Sequence, residues 1–350
     1  MGLCSTKQRN TTQWTTDGID EDNEVSDESV QLVFDRQDVP TNSIAHLSPM
    51  YPSLVASGWD DGLINIVDWN SRIAVLTFAA HEKSVNRLVF APKTNSLYSC
   101  SRDTTISRHS INLQNEIPTS KLSTFKGHTL SVSAIAIDDA ESMLASGGRD
   151  TAVSIWDVAT FTRLQQTIIS QNVVTCMKWV PEATNLIAQG GEDLCLRVWD
   201  TRSWKAPAQI IEGYVYFPLS LDISDDGNYI LTSSKGFNGV GCEGRVWDRR
   251  TGRQICEMTG HIQDTTACTF IPQCNAYAIT ASKDSSIRVW NARDGCLIST
   301  SHHPNAGMFT SVSCLPPDKE NVARIFTSSF VGNLTMYSYN IDSSSIEIKI

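Results

Sequence analysis

Three histidine–carboxylate pairs recur at nearly one spacing: His81 with Asp103, His128 with Asp150 and His261 with Asp284, 22 or 23 residues apart. A histidine beside a carboxylate is the usual equipment of general acid–base chemistry. The carboxylate fixes the ring tautomer, and the other ring nitrogen is left to move a proton. Two of the pairs belong to a longer pattern. His128 is followed by Ser146, Asp150 and Trp156, and His261 by Thr280, Asp284 and Trp290. An indole, a hydroxyl, an imidazole and a carboxylate can form a chain in which every buried donor meets an acceptor. That favours a structural tetrad over a proton relay. No nucleophile elbow, phosphate loop or Ser-His-Asp order accompanies the pairs. No catalytic residue, cofactor or small-molecule substrate is therefore assigned.

The elements that position these residues repeat as well. Trp156-Asp157, Trp199-Asp200, Trp247-Asp248 and Trp290-Asn291 each end a strand-like run, at intervals of 43, 48 and 43 residues. An acidic residue in a polar turn stands six positions before Trp156, Trp199 and Trp290, and the same offset finds Asp103 before His109 and Asp61 before Val67. Tyr337 holds the position in the last repeat. The seven anchors Val67, His109, Trp156, Trp199, Trp247, Trp290 and Tyr337 lie 42 to 48 residues apart. Self-similarity at that period with a Trp-Asp ending predicts an all-β, seven-bladed propeller. Alternation in VSAIAID, MLAS and AVSIWD gives short strands joined by polar turns. The propeller is expected over residues 28–350, after a disordered acidic tail over 1–27. Both 28–34 and 345–350 qualify as the strand that completes the last blade, and the sequence leaves the choice open.

Composition removes several functions. A net charge of −10 and an isoelectric point near 5.2 oppose general nucleic-acid binding, which needs a basic stripe. The 10 cysteines include no C-x-x-C, so zinc is not expected, and scattered free thiols suit a reducing, cytoplasmic setting. His302-His303 is too little for a metal site. No apolar run reaches the ~18 residues of a membrane span.

Binding chemistry is expected in the turns before each third strand, which a propeller gathers on one face. Their variable residues are Trp59, Asp60, Arg102, Arg149, Glu192 and Lys283, with Phe237 in a longer turn. Aromatic groups among charges are the composition of an interface hot spot; the alternative for Trp59 is that it folds back onto its blade. The long turn contains Gly239-x-Gly241-x-x-Gly244. It leads into a strand and not into a helix, so it is no dinucleotide site. An enlarged hairpin loop is the plain reading, and a partner-binding loop the functional one.

At the N-terminus, Gly2 and Thr6 fit the myristoylation pattern, and Cys4 stands where a second acyl chain is often added. One myristoyl chain binds membranes only marginally, so a second anchor is physically required. Lys7 and Arg9 add little. Asp17 to Glu28 holds seven acidic residues, a composition that suits a solvated spacer.

The repeat as a whole resembles the WD-repeat family. NVVTCMKWVP (172–181), GFNGVGCEGRVWDRR (236–250) and RQICEMTGH (253–261) are similar, more narrowly, to a ciliary group within it. That resemblance implies a non-enzymatic scaffold in cilium assembly and in control of intraflagellar transport and its cargo-adaptor coat. Small-GTPase-activating proteins at the ciliary membrane or base would be its partners. Trp199-Asp200-x-Arg202 and Trp247-Asp248-x-Arg250 resemble instead the docking box of substrate receptors for a cullin–RING ubiquitin ligase.

Overall fold

The computed structural model describes residues 31–36, 39–47, 49–113, 119–183 and 185–347. Gly2, Cys4 and the acidic stretch 17–28 lie outside them. Seven antiparallel sheets follow one another along the chain, the first six built in sequence order from an inner to an outer strand. Blade three is representative: Val132–Ile137, Met143–Gly148, Ala152–Asp157 and Arg163–Ile168. The inner strands neighbour one another in succession. Thr41–His46 of blade one touches both Val85–Ala91 of blade two and Phe309–Cys314 of blade seven, so the ring closes.

Closure uses both termini. Gln31–Asp35 pairs with residues 333–336 of the third strand of blade seven, and Ser345–Glu347 pairs with 338–340 of the same strand. The two candidate segments do not compete. They tile one edge end to end and leave no long unpaired strand there.

The apolar core is divided into seven clusters, one per seam between blades. Between blades two and three, Tyr98, Cys100 and Ile106 pack against Ile135, Leu144 and Trp156. Trp199, Trp247, Trp290 and Tyr337 fill the matching place in the next four seams. This explains the recurring aromatic: each of blades three to seven lays one large ring on the blade before it. Full burial of such a side chain stabilises by roughly 1.5–3 kcal/mol.

A second repeat holds the seams. Every inner strand has a bulge near its start, passing over Asn42, Asn86, Ser133, Thr175, Leu219, Thr266 and Thr310. A bulge re-aims a side chain, here toward the next blade. Asn86 Nδ2 donates to the Val132 carbonyl (2.6 Å), Thr175 Oγ1 to Pro218 (2.6 Å) and Thr266 Oγ1 to Phe309 (2.7 Å). Ser133 bonds the Val174 carbonyl and Thr310 that of Thr41, while Asn42 reaches the Ser84 hydroxyl at 2.8 Å. Leu219 alone has no polar side chain, so the seam between blades five and six lacks this clasp.

Candidate functional site

The histidine pairs are wired into the blades. His128 Nδ1 meets Asp150 at 2.9 Å, its Nε2 meets Ser146 Oγ at 2.7 Å, and Trp156 Nε1 donates to the same oxygen at 2.7 Å. One proton arrangement satisfies the chain: the indole donates to the hydroxyl, the hydroxyl to Nε2, and Nδ1–H to the carboxylate. His261, Asp284, Thr280 and Trp290 repeat it at 3.0, 2.8 and 2.8 Å. Burial holds His261 below its ordinary pKa. Burial alone would push Asp284 up, but hydrogen bonds from His261 and Ser286 hold it well below the carboxylate range. These side chains are buried inside their blades.

The other blades fill the tetrad differently. In blade two, His81 bonds Asp103 (2.9 Å) and Ser99 (2.8 Å), but His109 stands where the tryptophan would be. Its Nε2 is buried without a partner, and burial lowers its pKa to about 4. In blade four, Asp193 pairs with Arg197. In blade five, Tyr214 takes the histidine place: its hydroxyl lies 2.9 Å from Thr232 Oγ1, which also accepts from Trp247 Nε1 at 3.2 Å.

Blade one corrects an expectation. Trp59 is 0% exposed and is not a surface residue. Val67 leaves the tryptophan position of that blade too small. Trp59 therefore turns inward, donates to Ser57 Oγ at 2.9 Å, and packs edge-on to Phe34 under Arg36.

The remaining turn residues share one face. The N–H of the residue after each second strand donates to a carbonyl of the loop entering the same blade: Asp60 to Pro40, Arg102 to Ser84, Arg149 to Ser131, Glu192 to Val173 and Lys283 to Asp264, at 2.9–3.0 Å. Lys235 to Phe217 (3.1 Å) and Phe330 to Met308 (2.8 Å) complete the set. This bond sets one side chain per blade on the turn face, and Arg149, Glu192, Lys235 and Lys283 of the set line the channel mouth. Sequence reasoning missed Lys235 and Phe330, because the blade-five turn is lengthened and the blade-seven turn lacks the acidic residue. Counting from the small residue that ends the second strand (Ser101, Gly148, Gly191, Ser234, Ser282, Ser329) finds both.

Phe237 stands farther out, on the blade-five loop between Tyr229–Ser234 and Gly244–Asp248. The loop is pinned across the unclasped seam onto blade six. Gly239 N donates to the Ile262 carbonyl (3.0 Å), Gly236 N to Asp264 Oδ1 (3.0 Å), and Thr265 Oγ1 to the Cys242 carbonyl (2.7 Å). Phe237 and Val240 bridge each other's backbones. Gly239 and Gly241 both adopt positive φ, and a Cβ on Gly241 would strike the Tyr216 ring. The result is a fixed apolar platform: Phe237 is 70% exposed, Ile262 62% and Val240 59%.

Arg202 and Arg250 lie after third strands, in turns on the opposite face. Arg202 forms a two-point pair with Asp200, at 3.0 and 2.7 Å. Among the described residues no three His, Cys, Asp or Glu groups could hold a metal.

The WD domain, G-beta repeat family matches residues 73–107, 119–157, 162–200 and 252–291, each segment running from the outer strand of one blade into the third strand of the next in a seven-bladed ring. The chain is a WD-repeat protein. Among its relatives, the nuclear distribution protein nudF 1 of Talaromyces marneffei is 31% identical over 77% of this WD-repeat chain and 62% of its own length. The nuclear distribution protein PAC1 of Ajellomyces capsulatus is 29% identical over 65% and 53%. The WD repeat-containing protein slp1 of Schizosaccharomyces pombe is 31% identical over 35% and 25%. The chain thus spans between a quarter and about three fifths of these relatives' own length.

Proposed function

We propose that this WD-repeat scaffold is non-enzymatic and docks protein partners on the turn face of blades five to seven. In the same reading it is held at a membrane through Gly2 and Cys4 and acts in cilium assembly, in the regulation of intraflagellar transport and in recruitment of its cargo adaptors. The docking part rests on one observation. Phe237, Val240 and Ile262 are held outward by a hydrogen-bonded loop, and an ordered apolar patch on a soluble face marks an interaction site. The ciliary setting, and small-GTPase-activating proteins as partners, are supported by the resemblance at 172–181 and 236–261. The tether is supported by the Gly2–Thr6 pattern with Cys4. Identity to the nuclear distribution proteins over most of the chain favours a second setting, nuclear distribution, for the same scaffold. The ligase-receptor alternative uses the opposite face, through Arg202 and Arg250.

The test is proximity labelling by the full-length, C-terminally tagged chain in ciliated cells. Gly2→Ala and Cys4→Ser should release it from membranes. Phe237→Ser with Ile262→Ser should strip most labelled partners without changing location. Labelling that ignores the apolar pair but vanishes on charge reversal of Arg202 and Arg250 would replace the scaffold reading with the ligase one.

A further inference from the structure

We infer that the segment docking on this face is acidic, and that one of its carboxylates enters the channel mouth above Arg87 while a neighbouring apolar side chain rests on the blade-five loop. The inference rests on the scaffold reading above.

The channel is divided in two. Arg87, on the inner strand of blade two, reaches across it and donates from Nη2 to the Leu219 carbonyl of blade five at 3.3 Å. Leu219 is the bulge residue of the unclasped seam. The arginine lines both the turn-face chamber, about 490 Å³, and the chamber below it, so it forms the floor of the upper one. A guanidinium carries five N–H donors, and this bond uses one. Among the described residues no carboxylate lies within ion-pair distance of Arg87.

Charge singles out the mouth. The whole chain carries −10, yet the upper chamber is lined by Arg87, Arg149, Lys235 and Lys283 against Glu192 and Asp264. Asp264 is already engaged, taking Lys283 Nζ at 2.7 Å on one oxygen and Gly236 N–H on the other. Arg149 and Lys235 have no ion-pair partner among the described residues, and Lys235 lies over the Phe217 ring at 5.1 Å. The lining is net positive, and a channel mouth of net charge walled by low-dielectric protein focuses its field on an incoming group of opposite sign. The acidic exterior repels an extended polyanion such as nucleic acid, but a short peptide carboxylate meets only the mouth. Lys235 and Asp264 also flank the loop that carries Phe237, so anion and apolar contact are made side by side.

The test uses a fluorescein-labelled octapeptide alternating Glu and Phe, beside versions with Gln or Lys for Glu, titrated into the full chain by anisotropy. The acidic peptide should bind at least about tenfold more tightly than the Gln version, with affinity falling as salt rises. Arg149→Glu with Lys235→Glu, both exposed, should weaken it about tenfold or more; Phe237→Ser should weaken acidic and Gln peptides alike. Equal binding of the Glu and Gln peptides, no binding, or indifference to charge reversal overturns the inference. Carbodiimide cross-links from Lys235 or Lys283 to carboxylates of 17–28 would show the chain's own acidic segment in the mouth, and would also overturn it. In cells, partners lost with Phe237→Ser/Ile262→Ser but kept by Arg149→Glu/Lys235→Glu would leave the scaffold reading standing and remove only the acidic specificity.

Discussion

Blades three and five are built from one repeat and spend their polar residues differently. In blade three, His128, Ser146, Asp150 and Trp156 form a closed chain, the turn is tight, and Ser133 ties the inner strand to blade four. In blade five, Tyr214 and Thr232 shorten that chain, Leu219 gives no tie to blade six, and a long loop crosses the seam in its place. The lesson is about where to look for function. Residues at repeating spacing are used up in satisfying the core, histidine–aspartate pairs included. The exposed aromatic and the channel-spanning arginine stand where the repeat is broken.

Removing the hub of the blade-three chain should have the largest effect. Ser146→Ala leaves the Trp156 N–H and His128 Nε2 buried without partners. At about 1–3 kcal/mol per orphaned group, the loss should be roughly 2–6 kcal/mol, read as a lower urea midpoint. A shift no larger than that of an exposed substitution would mean that the tetrad is only decorative.

Acid should act most on blade two and the channel. Burial lowers His46 and His109 to about 4 and holds His81 and His261 below their ordinary value. The folded state keeps these rings neutral, whereas the unfolded chain takes up protons near pH 6.5. Stability is therefore complete above about pH 6.5 and falls as the pH drops from there toward 4. For His109 the cost on going from pH 7 to 5 is about 2 kcal/mol. His109→Gln should flatten the slope of urea midpoint against pH in that window. An unchanged slope would place the proton uptake elsewhere. The depressed Asp103, Asp150 and Asp284 carboxyls add a further loss only below about pH 4, where the unfolded chain's carboxyls protonate.

The core of the ring was legible because burial leaves a pattern: large aromatics at 43- to 48-residue spacing mark the third strands of blades three to seven, and each fills a seam. Outer strands were not legible, since RLQQTI at 163–168 buries no residue fully and alternates only between exposed and half-buried. Trp59 misled because a turn tryptophan has the same appearance in sequence whether it faces solvent or replaces a missing neighbour. Asp60, Arg102, Arg149, Glu192 and Lys283 were found by offset from the acidic turn, and Lys235 and Phe330 were lost where that offset fails. Arg87 had no local signal at all: its partner is 132 residues away.

Two glycines in the blade-five loop separate backbone strain from packing. Gly239 and Gly241 have φ of 78° and 79°. A Cβ at 239 meets open space, and one at 241 overlaps the Tyr216 ring. Gly239→Ala should cost only the conformational penalty, about 1 kcal/mol. Gly241→Ala should cost more and raise hydrogen exchange in residues 235–243. Equal effects would mean that the loop is not seated on Tyr216.

The smallest expected change in stability belongs to the residue with the largest expected change in binding. Phe237 is mostly exposed, so Phe237→Ser removes little buried area, and the urea midpoint should move by no more than about 0.5 kcal/mol equivalent. Tyr214→Phe is the partner measurement in the same blade. It removes a buried hydroxyl from Thr232, should cost about 1 kcal/mol, and should leave peptide and partner binding intact. If Phe237→Ser proves as destabilising as Tyr214→Phe, the aromatic is holding the loop down, and blade five differs from blade three in how it is packed, not in what it presents.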